Sequence, residues 1–349
     1  MAAPVTELSA VDSPRRSAAS RTAALVAASA LALAATAILG IGLGSNPIPP
    51  ARVVEALVAY DPTHNDHLVV VLSRLPRIAL GVIVGAALGL AGTLMQSVTR
   101  NPLADPGILG VNAGASFAVV IAIAFLGITD VSGYIWFSFV GAAAAAALVY
   151  LLGSSRGNVG TPVRIALGGT AVSIVIGALT QMVLLSNDAA FNSFRFWAIG
   201  SLQGRDFGVA FTVLPFVAVG IVLSLALISP LNAITLGDDV ATGLGTSALG
   251  ARIGAAVAVV LLAGAATAAA GPIGFIGLGS AHVARFFTGN EHRRLLPTAM
   301  LLGATLLVIA DTLGRVVVAP AELQTGVAAA LFGGPLFVAL VRSRKVAAL

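Results

Sequence analysis

The chain has 349 residues, of which 58% are hydrophobic and 9% charged. Its mean hydropathy is +1.00, and a soluble domain of ordinary composition carries roughly 25% charged residues. Too little charge is left to keep a surface in water, which excludes an ordinary soluble enzyme and a disordered chain and points to an all-α, polytopic membrane protein.

There are no cysteines, so disulfides, thiolate metal sites and cysteine nucleophiles are excluded. Lysine occurs once, as Lys345. A Walker-type phosphate loop needs a lysine inside GxxxxGK[ST], so the chain carries no ATPase of that kind. The net charge is +5, yet no basic domain suggests nucleic acid. The arginines sit singly or in pairs at the ends of apolar runs, the pattern of membrane topology.

A crossing helix needs about 20 apolar residues. In chain order, spans are expected near 23–43, 76–98, 108–127, 134–152, 163–185, 207–229, 253–271, 274–287, 295–316 and 325–341. A tail over 1–22 precedes a single transmembrane domain over 23–349. The first span follows Arg15, Arg16 and Arg21 but exceeds a signal-peptide core in length, and reads as a retained helix. No residue between Arg252 and Arg285 is charged. One helix over that stretch would be about 48 Å long against a core of roughly 30 Å. A break is expected at Gly271-Pro272, followed by Gly274 and a short eighth segment, either a pathway element or a re-entrant kink. With ten spans and a cytoplasmic N-terminus, basic residues lie mainly inside. Arg52, Arg74, Arg77, Arg195, Arg205 and Arg315 remain outside, and both termini are cytoplasmic. Gly81, Gly85 and Gly89 recur every four residues, as do Gly110 and Gly114, which suits close helix packing in lipid.

Polar chemistry is sparse. His64 and His67, with Asp61 and Asp66, read as a solvated outer loop, with a metal site as the alternative. No catalytic constellation and no metal site is expected. Asp311 is the acid inside a span, and Arg315 follows four residues later on the same face. A structural ion pair is the expectation and a proton relay the alternative. Asn101 to Gly107 forms a rigid inner turn with two prolines. Leu236, Gly237, Asp238, Asp239, Ala241, Leu244 and Gly245 lie in the longest inner connection, which reads as a short helix with an acidic first turn and a glycine end.

Arg74-Leu75-Pro76-Arg77, GxxxG spacing, Met95-Gln96, then NPLADPGILG from Asn101 to Gly110 resemble the FecCD-type permeases. These are the membrane subunits of bacterial ABC importers for iron–siderophores, haem and vitamin B12. Leu236 to Gly245, GPIGFIGL from Gly271 to Leu278, His282 with Arg285, His292 to Pro297, Ala310-Asp311 with Arg315, and Ala321-Glu322-Leu323 extend the resemblance to the C-terminus. It implies the ten-helix fold of the vitamin B12 importer permease and a plasma-membrane location. It implies a second permease, identical or similar, a cytoplasmic ATPase dimer that binds ATP-Mg, and an extracytoplasmic substrate-binding protein. No cofactor would be held by this chain. It also implies that inner-loop helices, here 231–250, dock into the ATPase, and that Arg74, Arg77 and Arg315 meet acids of the binding protein. Thr161, Asn101, Pro102, Gly271, Pro272 and Gly274 would belong to the gate or pathway. The family commonly has proline before the histidine of the eighth segment, where this chain has Ala281. A ferric siderophore is the expected cargo, with vitamin B12 or haem as alternatives. A secondary transporter or an intramembrane enzyme would need intramembrane coupling or catalytic groups.

Overall fold

The protein was analysed as a computed structural model, which describes residues 14–153 and 162–342. Its helices, in chain order, are α1 (Pro14–Gly42), α2 (Pro50–Val58), α3 (Asn65–Leu68), α4 (Leu75–Thr99), α5 (Val111–Leu126), α6 (Val131–Gly153), α7 (Pro162–Ser186), α8 (Asp188–Ala198), α9 (Phe207–Ala226), α10 (Ile228–Thr235), α11 (Asp238–Gly243), α12 (Ala248–Ala270), α13 (Ile276–Thr288), α14 (His292–Val316) and α15 (Thr325–Arg342). Among the described residues there is no strand.

Among the described residues, seven helices are long and apolar enough to cross a membrane: α1, the continuous run from α3 through α4, α6, α7, α9, α12 and α14. The other three expected spans are met by shorter helices. α5 has 16 residues and α15 has 18. α13 has 13, about 20 Å of helix, less than the thickness of the hydrocarbon. The chain between α12 and α13 leaves the helix over Gly271 to Gly274, so the long uncharged stretch is divided where glycine and proline interrupt it.

The second expected span begins earlier than its sequence suggests. Helix continues from Asn65 to Thr99, 35 residues, with a π-helical turn over Val69–Arg74 just ahead of Pro76. Proline supplies no N–H and crowds the carbonyl four residues back. The wider π turn lets the helix pass through the proline instead of starting at it.

α4 is the central element. Of its most apolar window 78% is buried, against 11% for α1. It packs against α14, α12, α13 and α9. Without a hydrophobic drive between helices in lipid, close backbone approach decides which helices associate. A Cβ on Gly89 would stand 2.3 Å from the Ala299 carbonyl oxygen of α14, and one on Gly92 would stand 2.5 Å from the Gly277 carbonyl of α13. These positions admit no side chain unless a helix moves. The α5–α6 pair closes in the same manner where Gly114 meets Gly141.

Overpacking of this kind typically costs 1–3 kcal/mol and sometimes more. Gly89→Leu is expected to lower stability by at least about 3 kcal/mol, read as a fall in the melting temperature in detergent. Gly177→Ala, where a Cβ meets nothing within 4 Å, is expected to leave it unchanged.

Candidate functional site at the two ends of the bundle

At the end of the bundle where α4 begins, four helices are joined by charge. Arg77 donates from Nε to both oxygens of Asp311, at 3.1 and 2.9 Å, and from Nη2 to Oδ1 at 3.0 Å. Its Nη1 reaches Glu322 Oε2 at 2.7 Å. Arg315 Nε lies 3.4 Å from Asp311 Oδ2, while its Nη1 donates to the Gly40 carbonyl of α1 at 2.9 Å. Thr325, at the start of α15, donates to Asp311 Oδ1 at 2.7 Å and accepts from the Leu202 N–H. Arg74 donates to the Ile41 and Gly42 carbonyls, at 2.6 and 2.7 Å, and to the Asn46 carbonyl. Glu322 also accepts from Ser45 Oγ at 2.8 Å. Its burial raises the carboxyl pKa, but the hydrogen bond and charge of Arg77 outweigh that and hold it below the usual range.

Arg74, Arg77 and Arg315, the arginines expected to meet a binding protein, are engaged within the chain itself. They are 6%, 5% and 2% exposed, and their donors are turned inward to carbonyls and carboxylates of the same chain. A guanidinium in a low-dielectric interior must be paired, and Asp311, Glu322 and the carbonyls after α1 supply the pairing. Asp311 lies closest to Arg77 rather than to Arg315. Both its oxygens are occupied by donors, which suits an ion-pair centre rather than a proton carrier. His67 is likewise not in a solvated loop. It is buried in α3, and its Nδ1 accepts from the Asp61 N–H at 3.0 Å. No group of three or more metal-ligating side chains occurs among the described residues.

At the other end of α4, Arg100 caps the helix in the left-handed region, φ 49°, and donates to Asp238 Oδ1 at 2.7 Å and to the Ile234 carbonyl. Arg252 of α12 donates to Asp238 Oδ2 at 2.8 Å. Although desolvation raises the Asp238 pKa, the two guanidiniums outweigh it and hold the carboxylate below its ordinary range. This clamp fixes a module made of α10 and α11. The short helix expected with an acidic first turn is α11, and α10 precedes it across Gly237, whose φ of 114° falls outside the range of ordinary side chains. Gly245, φ 75°, turns the chain toward α12. Ala241 is buried beneath the module, whereas Leu236, Val240 and Leu244 are 65%, 48% and 65% exposed. Asp239 is also exposed. Three large apolar side chains thus stand on a short, rigidly held projection.

The expected gate residues are dispersed. Asn101 is exposed and its Oδ1 accepts from the Leu103 N–H at 2.9 Å, while Pro102 is half-buried in the same turn. Asp105 Oδ1 accepts from Gly107 N–H at 2.8 Å and completes that turn. Gly271 and Pro272 lie against Trp197 and Gly200 at the start of the α8–α9 connection, where Ser201 N–H donates to the Ala270 carbonyl at 2.7 Å. Gly274 has open space around it. Thr161 lies outside the described residues. Ala281, in place of the family's proline, is buried within α13, which is helical throughout. Sequence reasoning missed the Arg100–Asp238–Arg252 clamp and the part of Glu322 as a second acid beside Asp311. Glu322 could have been found as the nearest countercharge to three arginines otherwise short of acids.

Removing one partner from a buried ionic cluster strands the others. Asp311→Asn is expected to destabilise the protein by about 3–5 kcal/mol, and Glu322→Gln, which is half-buried, by about 1–3 kcal/mol. Thermal unfolding in detergent gives the comparison; equal losses would place Asp311 outside the centre of the network.

Residues 31–343 match the FecCD transport family. The chain is 42% identical over 291 residues to a probable siderophore transport system permease protein, YfiZ, of Bacillus subtilis, covering 83% of this chain and 87% of the relative. It is 41% identical over 314 residues to the ferric enterobactin transport system permease protein FepD of Escherichia coli, covering 90% and 93%. Among solved structures it resembles a metal-chelate type ABC transporter in an inward-facing conformation, with a TM-score of 0.79 and 28% identity over 92% of this chain and 99% of the other. The family match spans nearly all of a multi-pass helical membrane chain, and the protein belongs to the FecCD transport family.

Proposed function

We propose that the chain is the permease subunit of an ABC importer that moves a ferric siderophore across the bacterial plasma membrane. The observation that carries this reading is the apolar projection of Leu236, Val240 and Leu244, held by the Arg100–Asp238–Arg252 clamp on the last turn of the buried helix α4. A surface of this kind suits a protein partner that exerts force, and on this reading it is the cytoplasmic ATPase dimer. The permease itself makes and breaks no covalent bond. ATP-Mg sits on the partner, and both termini are cytoplasmic.

The siderophore assignment follows from the relatives, which transport siderophores, ferric enterobactin and ferric citrate by their names. A substrate-binding protein would approach the opposite face, where Arg52 and Arg195 are the exposed arginines among the described residues of the outer connections. Such rim charges steer and register encounter more than they add affinity. A second permease, identical or similar, completes the pathway.

The test is uptake of a ferric siderophore into proteoliposomes that hold the permeases and ATPases, with loaded binding protein outside and ATP inside. Uptake is expected to require ATP hydrolysis and to ignore a proton gradient. Uptake that persists with an inactive ATPase and follows the gradient would overturn the reading. Leu244→Glu is expected to abolish uptake and co-purification of the ATPase while the melting temperature stays within about 2 °C, because the side chain is largely in solvent and exposed substitutions change stability little. Arg52→Glu and Arg195→Glu are expected to slow binding-protein association severalfold, more at low salt than at high, measured by surface-based binding kinetics.

A further inference from the structure

One buried polar chain joins the projecting module to the core by a second route, independent of the Arg100–Asp238–Arg252 clamp. His292, the first residue of α14, is 1% exposed. Its backbone N–H donates to Asn232 Oδ1 of α10 at 3.0 Å, and its Nδ1 lies 2.8 Å from the same oxygen. A carboxamide oxygen only accepts, so Nδ1 carries the ring proton. Nε2 is then an acceptor, and it lies 2.8 Å from the hydroxyl of Ser97 on α4. Ser97 is 2% exposed.

The chemistry of this chain of contacts is unsymmetrical. Ser97 Oγ also lies 2.9 Å from the Thr93 carbonyl one turn back. Its hydroxyl proton therefore has two acceptors, the imidazole of His292 and its own helix. If His292 moves away, Ser97 keeps a hydrogen bond, and no buried hydroxyl is orphaned on α4. At the other end, one Asn232 oxygen satisfies both the helix-terminal N–H and the ring N–H of His292, so α10 and the start of α14 move together. The contact to α4 is the one built to open. Immediately before α14 the chain passes through Gly289, φ 70°, a turn that can follow such a movement.

We infer that Asn232 and His292 form a positioning link that carries displacement of the α10–α11 module into α14 and releases it from α4 at Ser97. The link would set how much transport each ATP drives. This rests on the importer reading above. It names three positioning residues, Ser97, Asn232 and His292, none of which touches cargo or nucleotide. A two-state element of this sort is what mechanical coupling between distant sites requires.

The experiment uses the complete transporter in proteoliposomes and reads ATP hydrolysed and ferric siderophore taken up in the same sample. Asn232→Ala is expected to assemble with the ATPases and hydrolyse ATP within twofold of the unaltered complex, while uptake per ATP falls at least fivefold. Asn232→Asp, which keeps an acceptor oxygen at that place, is expected to restore the ratio to within twofold. Ser97→Ala removes only the α4 contact and is expected to change uptake per ATP at least twofold, with the complex still assembled and its melting temperature lowered by a few degrees, because the buried Nε2 of His292 loses its donor. An unchanged ratio in Asn232→Ala overturns the inference. If Asn232→Ala does not assemble, Ser97→Ala decides, and an unchanged ratio there overturns it equally. A failure of the importer reading looks different: the unaltered complex itself would show uptake without dependence on ATP.

Discussion

In lipid, apolar contact between helices carries no net drive, and α4 supplies what replaces it. Along its middle the backbone meets the backbones of α13 and α14 through Gly92 and Gly89. Each end is closed by polar pairs, buried at one and exposed at the other. Arg77 ties the starting end to Asp311 and Glu322; Arg100 ties the far end to Asp238. α12 lies against this strut and carries Arg252 to the clamp at its far end, while α1 lends its terminal carbonyls to Arg74 and Arg315 at its start.

The two ends use the same residue types for different purposes, and burial separates them. At the starting end, three guanidiniums and two carboxylates are shielded from solvent, and truncating either carboxylate would leave guanidinium charge unmatched. At the far end, Asp238 is partly exposed and its arginines are exposed to different degrees. That pairing can be remade at modest cost, as suits a joint that transmits movement.

Much of the architecture was legible in the residues. The need for a break between α12 and α13 followed from length, and Gly271-Pro272 gave its place. The glycine repeat of α4 pointed to close packing and its partner was missing only because helix pairing is non-local. The burial of Arg74, Arg77 and Arg315 could not be read for a physical reason. A sequence states the charge of a side chain but not whether a carbonyl or carboxylate from 200 residues away will meet it. Arg77 and Asp311 are 234 residues apart. The π turn before Pro76 was invisible for a related reason: proline reads as a helix start unless a neighbouring turn widens to admit it. The short helix α11 was placed by Gly237 and Gly245, whereas the pairing of Asn232 with His292, 60 residues away, is non-local and left no pattern.

Leu236, Val240 and Leu244 also bear on how the cell handles this protein before assembly. These three side chains are exposed. On the importer reading they would be covered only once a partner subunit is fitted, and a lone copy would show greasy side chains to water. The surface that makes a complete copy work would then be the one that tells an orphan from an assembled subunit.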